Sequence, residues 1–465
     1  MRPPSPPSSQ RLSTIRVAKK PYHYHPMLPP QKRRGIALVM AMITLAILTV
    51  TLADMQQTTL ASFLAATTER DRLRAEFMAK SGLNLTRLLV AQEPVIRNAV
   101  TPTYQLFLGR PPPQLPVWAY ADLVFRPFCK YSESIESGLG SSLLLGAEGL
   151  GETHAECEIL AFAENSRINL NDPLFFDGDR ARTSVAMQFF ALMGGYQSPS
   201  PFDPLFEGLD PDGQHSTRQD IVSALIDWWD YDTERTNFDP GGAKVTVGGP
   251  EEDIYLRFDD PYRPKNAPFD SLEEIRLIRG IGDDFWATFI EPDPEHPERR
   301  LVTIYGSGSV NPNEAPPQVL LARVCSVLTD QSLCTDPMEA ARFIQLITTL
   351  RMLAPIPFFS SGSDFLTFLE GGGGPRDLYP MLLSFLGQDN PLLFKPVRIR
   401  PEQRQTLEPL LVTGAKILSI NVTGRSGRAV VKLKTVMNFH ERWTPPPPNA
   451  GTMPGLGIFY YYRIE

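Results

Sequence analysis

Seven carboxylates fall into two groups near the middle of the sequence. Asp227, Asp230, Asp232 and Glu234 lie within eight residues, and Glu251, Glu252 and Asp253 follow a glycine-rich connection. Hard oxygen donors concentrated on loops suit Ca²⁺, which takes about six to eight oxygens in a flexible geometry. The spacing is not that of an EF-hand, because DYDTERTNFDPG lacks a glycine at its sixth position and a correctly placed terminal Glu. Trp228 and Trp229 would anchor the helix end that presents the first group. Unpaired, such acids repel one another by about 1 kcal/mol per close pair near the surface. A bound cation removes that repulsion; a solvated acidic loop is the alternative.

Other chemistry finds little support. The six histidines are scattered, and there is no HExxH, GxSxG or P-loop motif. GSGSVN (306–311) lacks the third glycine of a dinucleotide fingerprint. No enzyme is expected. The acidic stretches DPLFFDGD (172–179) and DPDG (210–213) read as turns, where Asx side chains bond their own loop. Leu277–Gly282 and VNPNEAPPQVLLA look like helix-hairpin-helix elements, which in many proteins hold a DNA phosphate. Here Asp283 and Asp284 follow the glycine turn and aim negative charge where a phosphate would sit. These hairpins read as packing modules, and no nucleic-acid partner is expected.

The elements that carry these residues follow from composition. With 465 residues, 42% of them hydrophobic, the chain has enough apolar surface for real cores. The net charge of −7 hides an asymmetry: residues 1–34 hold eight Lys/Arg and no acid, which leaves −15 on the rest. Trp118–Cys129 and Ala155–Ala163 read as strands joined by a Ser/Gly-rich connection. Helical patterns follow over Arg180–Met193, Ser216–Trp229, Ser271–Ile278, Gln318–Leu328 and Pro337–Leu353. Strand signals return at Lys416–Val422, Ala429–Phe439 and Ile458–Ile464, with a proline-rich loop before the last. The expected fold is therefore α+β: an antiparallel sheet domain interrupted by a large helical insertion. Cys129 and Cys157 could face each other across the first hairpin, and Cys325 and Cys334 are close enough for a local bridge. Free buried thiols are the alternative.

The N-terminus sets the compartment. Gly35–Ala53 is nineteen residues without a charge, about 28 Å of helix, and Lys32, Arg33 and Arg34 precede it. Basic residues on that flank hold the N-terminus in the cytoplasm and place the bulk of the chain outside. Apolar residues continue at helical spacing through Leu60, Leu64, Leu73, Phe77, Leu85 and Leu88, with no proline between Pro30 and Pro94. One long helix is expected, lipid-facing in its first half and amphipathic in its second.

Here the residues resemble a family. Lys32-Arg33-Arg34-Gly35 followed by Ile36-Ala37-Leu38 looks like a class III prepilin leader. Most pilins carry Glu at mature position five, where this chain has Met40. The K-type minor pseudopilin of type II secretion is the member that lacks that glutamate. A buried Glu in lipid is costly unless it pairs with the subunit ahead, so its absence fits a tip position. NSRINLNDP (165–173), SALIDWWDYDTE (223–234), EEDIYLRF (251–258), APFDSLEEIRLIRGIG (267–282) and TIYGSGSVNPNEAPPQVLLA (303–322) fall in the order of general secretion pathway protein K.

The resemblance implies cleavage after Gly35 by a prepilin peptidase, with Ile36 the new, methylated first residue. It implies a basic leader over 1–35, a long helix over 36–93 with 36–53 in the membrane, a pilin-like domain over 94–164 and 376–465, and the insertion over 165–375. It also implies calcium in the acidic loop, with Asp227, Asp230, Asp232, Glu234, Glu252 and Asp253 as candidate ligands. The implied location is the inner membrane, single-pass, with the bulk periplasmic. There two disulfides among Cys129, Cys157, Cys325 and Cys334 would be at home. Its role would be to cap a pseudopilus tip and promote assembly. The implied partners are the I- and J-type minor pseudopilins, the pseudopilus, prepilin peptidase, and secreted substrates or the outer-membrane secretin. A tip subunit of a type IV pilus or competence filament is an alternative reading, and an anchored periplasmic binding protein is another. Met27 as start would leave the shorter leader MLPPQKRRG.

Overall fold

The computed structural model describes residues 35–109, 111–129, 155–172, 178–210, 213–251, 255–256, 260–353, 356–374, 377–387, 390–439 and 455–465. The basic leader, the Ser/Gly connection and most of the proline-rich loop lie outside them. The chain divides into two units, one ending at Thr67 and the other running from Thr68 to Glu465.

Helix α1 spans Ile36–Leu108. It is long and apolar enough to cross a membrane, as expected of a single-pass anchor. In the first unit its hydroxyls bond their own helix: Thr44, Thr49 and Thr51 donate to carbonyls three or four residues back. That satisfies polar groups a lipid could not. The helix was expected to end before Pro94, yet Pro94 and Pro102 lie inside it. Each proline removes one backbone bond, and the turns around Pro94 are held by other contacts. Buried Glu93 pairs with Arg97 at 3.5 Å and accepts the Leu115 N–H at 3.0 Å.

In the second unit α1 packs on a four-stranded antiparallel sheet. Ala75, Ala79 and Leu83 recur every four residues on its buried face. The strands are β1 (Ala155–Ala163), β4 (Ile417–Ser426), β5 (Ala429–Asn438) and β6 (Ile458–Ile464), in the order β1-β4-β5-β6; β2 (Glu234–Asp239) and β3 (Lys244–Pro250) belong to the insertion. Register places Cys157 opposite Gly424, Ile159 opposite Val422 and Ala161 opposite Ile420, so one apolar face meets the helix. Gly424 permits that approach, because a Cβ there would collide with the Ala75 carbonyl oxygen.

Residues Trp118–Cys129 do not form the expected strand. Val117–Tyr120 is a 3-10 turn and α2 covers Ala121–Cys129. Trp118 of the turn and Cys129 of α2 are buried in the sheet core. Alternation of apolar residues over so short a run fits either period, and packing decides. Cys129 is bonded to Cys157, joining α2 to β1, and Cys325 to Cys334.

The insertion enters after β1 and leaves before β4, its neighbour in the sheet, so it is spliced between two adjacent strands. Glu164 accepts hydroxyl hydrogen bonds from Thr303 and from Ser419 of β4. Asn165 Oδ1 accepts the backbone N–H groups of Lys416 and Ile417, both at 3.2 Å. Buried Arg167 donates to the carbonyls of Ala163, Pro297, Glu298 and Arg300. The insertion has its own core, from Ile168 to Leu411. Its expected end at residue 375 is therefore corrected. Phe394, Val397 and Leu407 pack into the helical core, and only the chain after Leu411 returns to the sheet. Residues 376–400 lack strong periodicity, so nothing in the sequence marked that continuation. Within the insertion lie α3 (Gly178–Leu192), α4 (Arg218–Trp229) and a hairpin of β2 (Glu234–Asp239) and β3 (Lys244–Pro250). The architecture is the expected α+β one.

Candidate metal centre

Helix α4 begins at a capping box, with Thr217 accepting from Asp220 N and the Asp220 carboxylate accepting from Thr217 N. Every residue from Ile221 to Trp229 is buried. Trp228 packs edge-on to Tyr255, with ring centroids 5.9 Å apart, and so fixes the helix end. Asp227 projects from the last turn, and its Oδ1 accepts the Thr236 N–H of β2 at 2.7 Å. Asp230 follows the helix in an extended conformation. Glu234 pairs with Pro250 across the hairpin, and the Glu251 N–H reaches the Thr233 carbonyl at 3.4 Å. The hairpin thus returns Glu251 to the end of α4.

Asp227, Asp230 and Glu251 are all buried, and one carboxylate oxygen from each lies within 4.8 Å of the others. Neither oxygen of Asp230 accepts a hydrogen bond, and Glu251 Oε1 accepts none. Burial is the main cause that pushes Asp227 up to about 6, Asp230 to about 7 and Glu251 to about 8. Mutual repulsion adds to the last two. Arg182 of α3 approaches from one side, its Nη1 3.2 Å from Asp230 Oδ2 and 3.9 Å from Asp232 Oδ2. Orphaned, buried, convergent carboxylate oxygens fit a hard divalent cation.

Of the predicted ligands, the fold brings Asp227 and Asp230 together. Asp232 is partly exposed and its Oδ1 accepts the Glu234 N–H at 2.9 Å; Glu234 is exposed. Glu252 and Asp253 lie outside the described residues. Glu251 was noted in the acidic run but not chosen. The signal that singles it out is the hairpin register, since a strand ending opposite Glu234 places the next residue beside Thr233. Gly35 precedes α1, and Ile36, its first residue, is exposed. Asp283 and Asp284 are exposed, with Asp283 paired to Arg276.

Residues 166–289 span Arg182, α4, the hairpin and all three buried acids, and they match the family model for type II secretion system (T2SS), protein K. This segment is similar to protein K of type II secretion systems. The resemblance read from the sequence is thereby borne out, and the match begins at the neck where the insertion leaves β1. A solved structure, the GspK-GspI-GspJ complex from the enterotoxigenic Escherichia coli type 2 secretion system, contains a chain similar at 11% identity and a TM-score of 0.38. That similarity covers 89% of this chain and 99% of that one. No curated protein is significantly similar to the sequence. The candidate metal centre thus lies wholly within the matched segment.

Proposed function

We propose that this chain is a minor pseudopilin of a type II secretion system that caps the pseudopilus tip and promotes its assembly. The observation that carries this reading is the segment similar to protein K, spliced between neighbouring strands of a sheet that rests on a long, anchor-like helix. Prepilin peptidase would cut after Gly35, freeing Ile36 on the cytoplasmic side of the inner membrane, with the bulk of the chain periplasmic. The work is assembly, with no chemical turnover.

Two further observations support it. Leu73, Phe77, Leu88 and Val95 are exposed along α1 and fall within about 60° of one another around the helix. Such a stripe suits packing beside the equivalent helices of other pseudopilins. The insertion is bulky and helical, hard to accommodate between stacked subunits and suited to an end position. The implied partners are the I- and J-type minor pseudopilins, beyond which the tip would meet secreted substrate or the secretin.

Calcium belongs to this reading as a structural ion. Asp227, Asp230 and Glu251 would hold it, and its charge would neutralise three buried acids and order the α4–hairpin junction. The test of the whole reading is co-purification from membranes with tagged I- and J-type subunits, alongside export in a deletion strain. A stable complex and a secretion defect restored by the full chain are expected. Recovery with pilus or competence subunits and intact secretion would overturn it.

A further inference from the structure

The acid trio already contains a cation. Arg182 reaches from α3 to the last residue of the α4 cap, 3.2 Å from Asp230 and 3.9 Å from Asp232. Its guanidinium stands 5.8 Å from the Trp229 ring, and its Nε, buried, has no hydrogen-bond partner. It is thus held by charge and ring contact rather than by a hydrogen-bonded fork, an arrangement that can be exchanged. Asp230 is 1% exposed and neither of its oxygens accepts a hydrogen bond, so Arg182 is the charge nearest to neutralising it. Glu251, also 1% exposed, aims an equally orphaned Oε1 into the same space with no cationic partner among the described residues.

We propose that Arg182 is an internal competitor for the metal: it neutralises Asp230 when the site holds no ion, and a divalent cation must displace its charge from Asp230 to bind. This rests on the reading that a cation occupies the trio. The exchange sets a threshold. With Arg182 present Asp230 has a compensating charge even before the ion arrives, so the α4–hairpin junction persists without the metal and the site fills only where the ion is plentiful. Extracellular calcium modules work in that regime, with dissociation constants of about 10⁻⁴–10⁻³ M. Removing Arg182 exposes the trio's full negative charge to the ion, and affinity should rise.

The experiment is calorimetric titration of Ca²⁺ into the full chain in detergent, as wild type, Arg182→Gln and Arg182→Lys, with melting temperatures in chelator and in saturating Ca²⁺. Arg182→Gln should bind about tenfold more tightly than wild type, melt lower than wild type in chelator, and match it in Ca²⁺. Arg182→Lys keeps a positive charge and should bind less tightly than Arg182→Gln. Wild-type binding with no gain in Arg182→Gln would overturn the competitor role and leave the metal site standing. Equal affinities for the two variants would also overturn it, because charge would then not be what competes. A wild-type chain that binds no Ca²⁺ would overturn both.

Discussion

The Asp227 carboxylate accepts the backbone N–H of Thr236 at 2.7 Å, tying the last turn of α4 to the strand nine residues on. That bond fixes one wall of the acid trio while leaving Asp230 and Glu251 with oxygens free to take a cation. A structural ion at this point would reinforce a helix–hairpin junction already made by the Phe238 N–H to the Ser223 hydroxyl and by Phe238 in the insertion core.

Chelation should therefore lower thermal stability. One site at a hundredfold excess of ion over Kd adds about 2.7 kcal/mol. In scanning calorimetry the calcium-loaded chain should melt several degrees above the chelated one. Asp230→Asn or Glu251→Gln should erase that difference, and Asp232→Asn should keep most of it. Superimposable curves with and without chelator would remove the ion from the account.

The neck of the insertion should be sensitive to a single buried cation. Arg167 pairs with Glu164 at 3.2 Å and serves four backbone carbonyls. Arg167→Ala removes the side-chain donor to those carbonyls and leaves the buried Glu164 charge without its ion-pair partner, a loss on the order of 3 kcal/mol. Urea unfolding should show it as a lower midpoint, and limited proteolysis should cut near Pro297–Arg300 sooner. A midpoint unchanged from wild type would contradict the role given to this residue.

Gly424→Val should separate α1 from the sheet. A side chain at that position collides with the Ala75 carbonyl, which belongs to helix backbone and cannot rotate away. Overpacking of this kind costs about 1–3 kcal/mol or more. The expected readout is faster hydrogen exchange along residues 75–91 and over β4. Wild-type protection would mean that the helix does not rest on this strand.

The two disulfides should contribute unequally. Cys129–Cys157 closes a separation of 28 residues and Cys325–Cys334 one of 9. The loop-entropy estimate gives about 3.6 and about 2.6 kcal/mol respectively. Replacing the first pair with serines should lower the unfolding midpoint more than replacing the second. The reverse order would show that packing around Cys325, buried in the insertion core, outweighs loop closure.

Much of this architecture is legible in the residues. The strands Ala155–Ala163 and Ile458–Ile464 and the helix Pro337–Leu353 carry clear periods and turn residues at their ends. The helix that presents Asp227 announces itself through Thr217 and Asp220, a capping pair three residues apart. The failures share a cause: they depend on contacts distant in sequence. Trp118–Cys129 is helical because it packs on the sheet, α1 runs on past Pro94 with Glu93 held by the Leu115 N–H from beyond the helix, and Phe394 and Val397 join a core begun at Ile168. Glu251 became visible only through the hairpin that folds it back. An acidic run shows where ligands are plentiful; register shows which of them meet.

The central claim is that the chain enters a pseudopilus by the prepilin route. It is tested most directly by the mass and N-terminal sequence of the protein from its own membranes, with and without active prepilin peptidase. The account predicts a methylated chain beginning at Ile36 only when the peptidase is active. A chain that keeps Arg33-Arg34-Gly35 in both strains would contradict it, leaving a plain anchored protein and no cap.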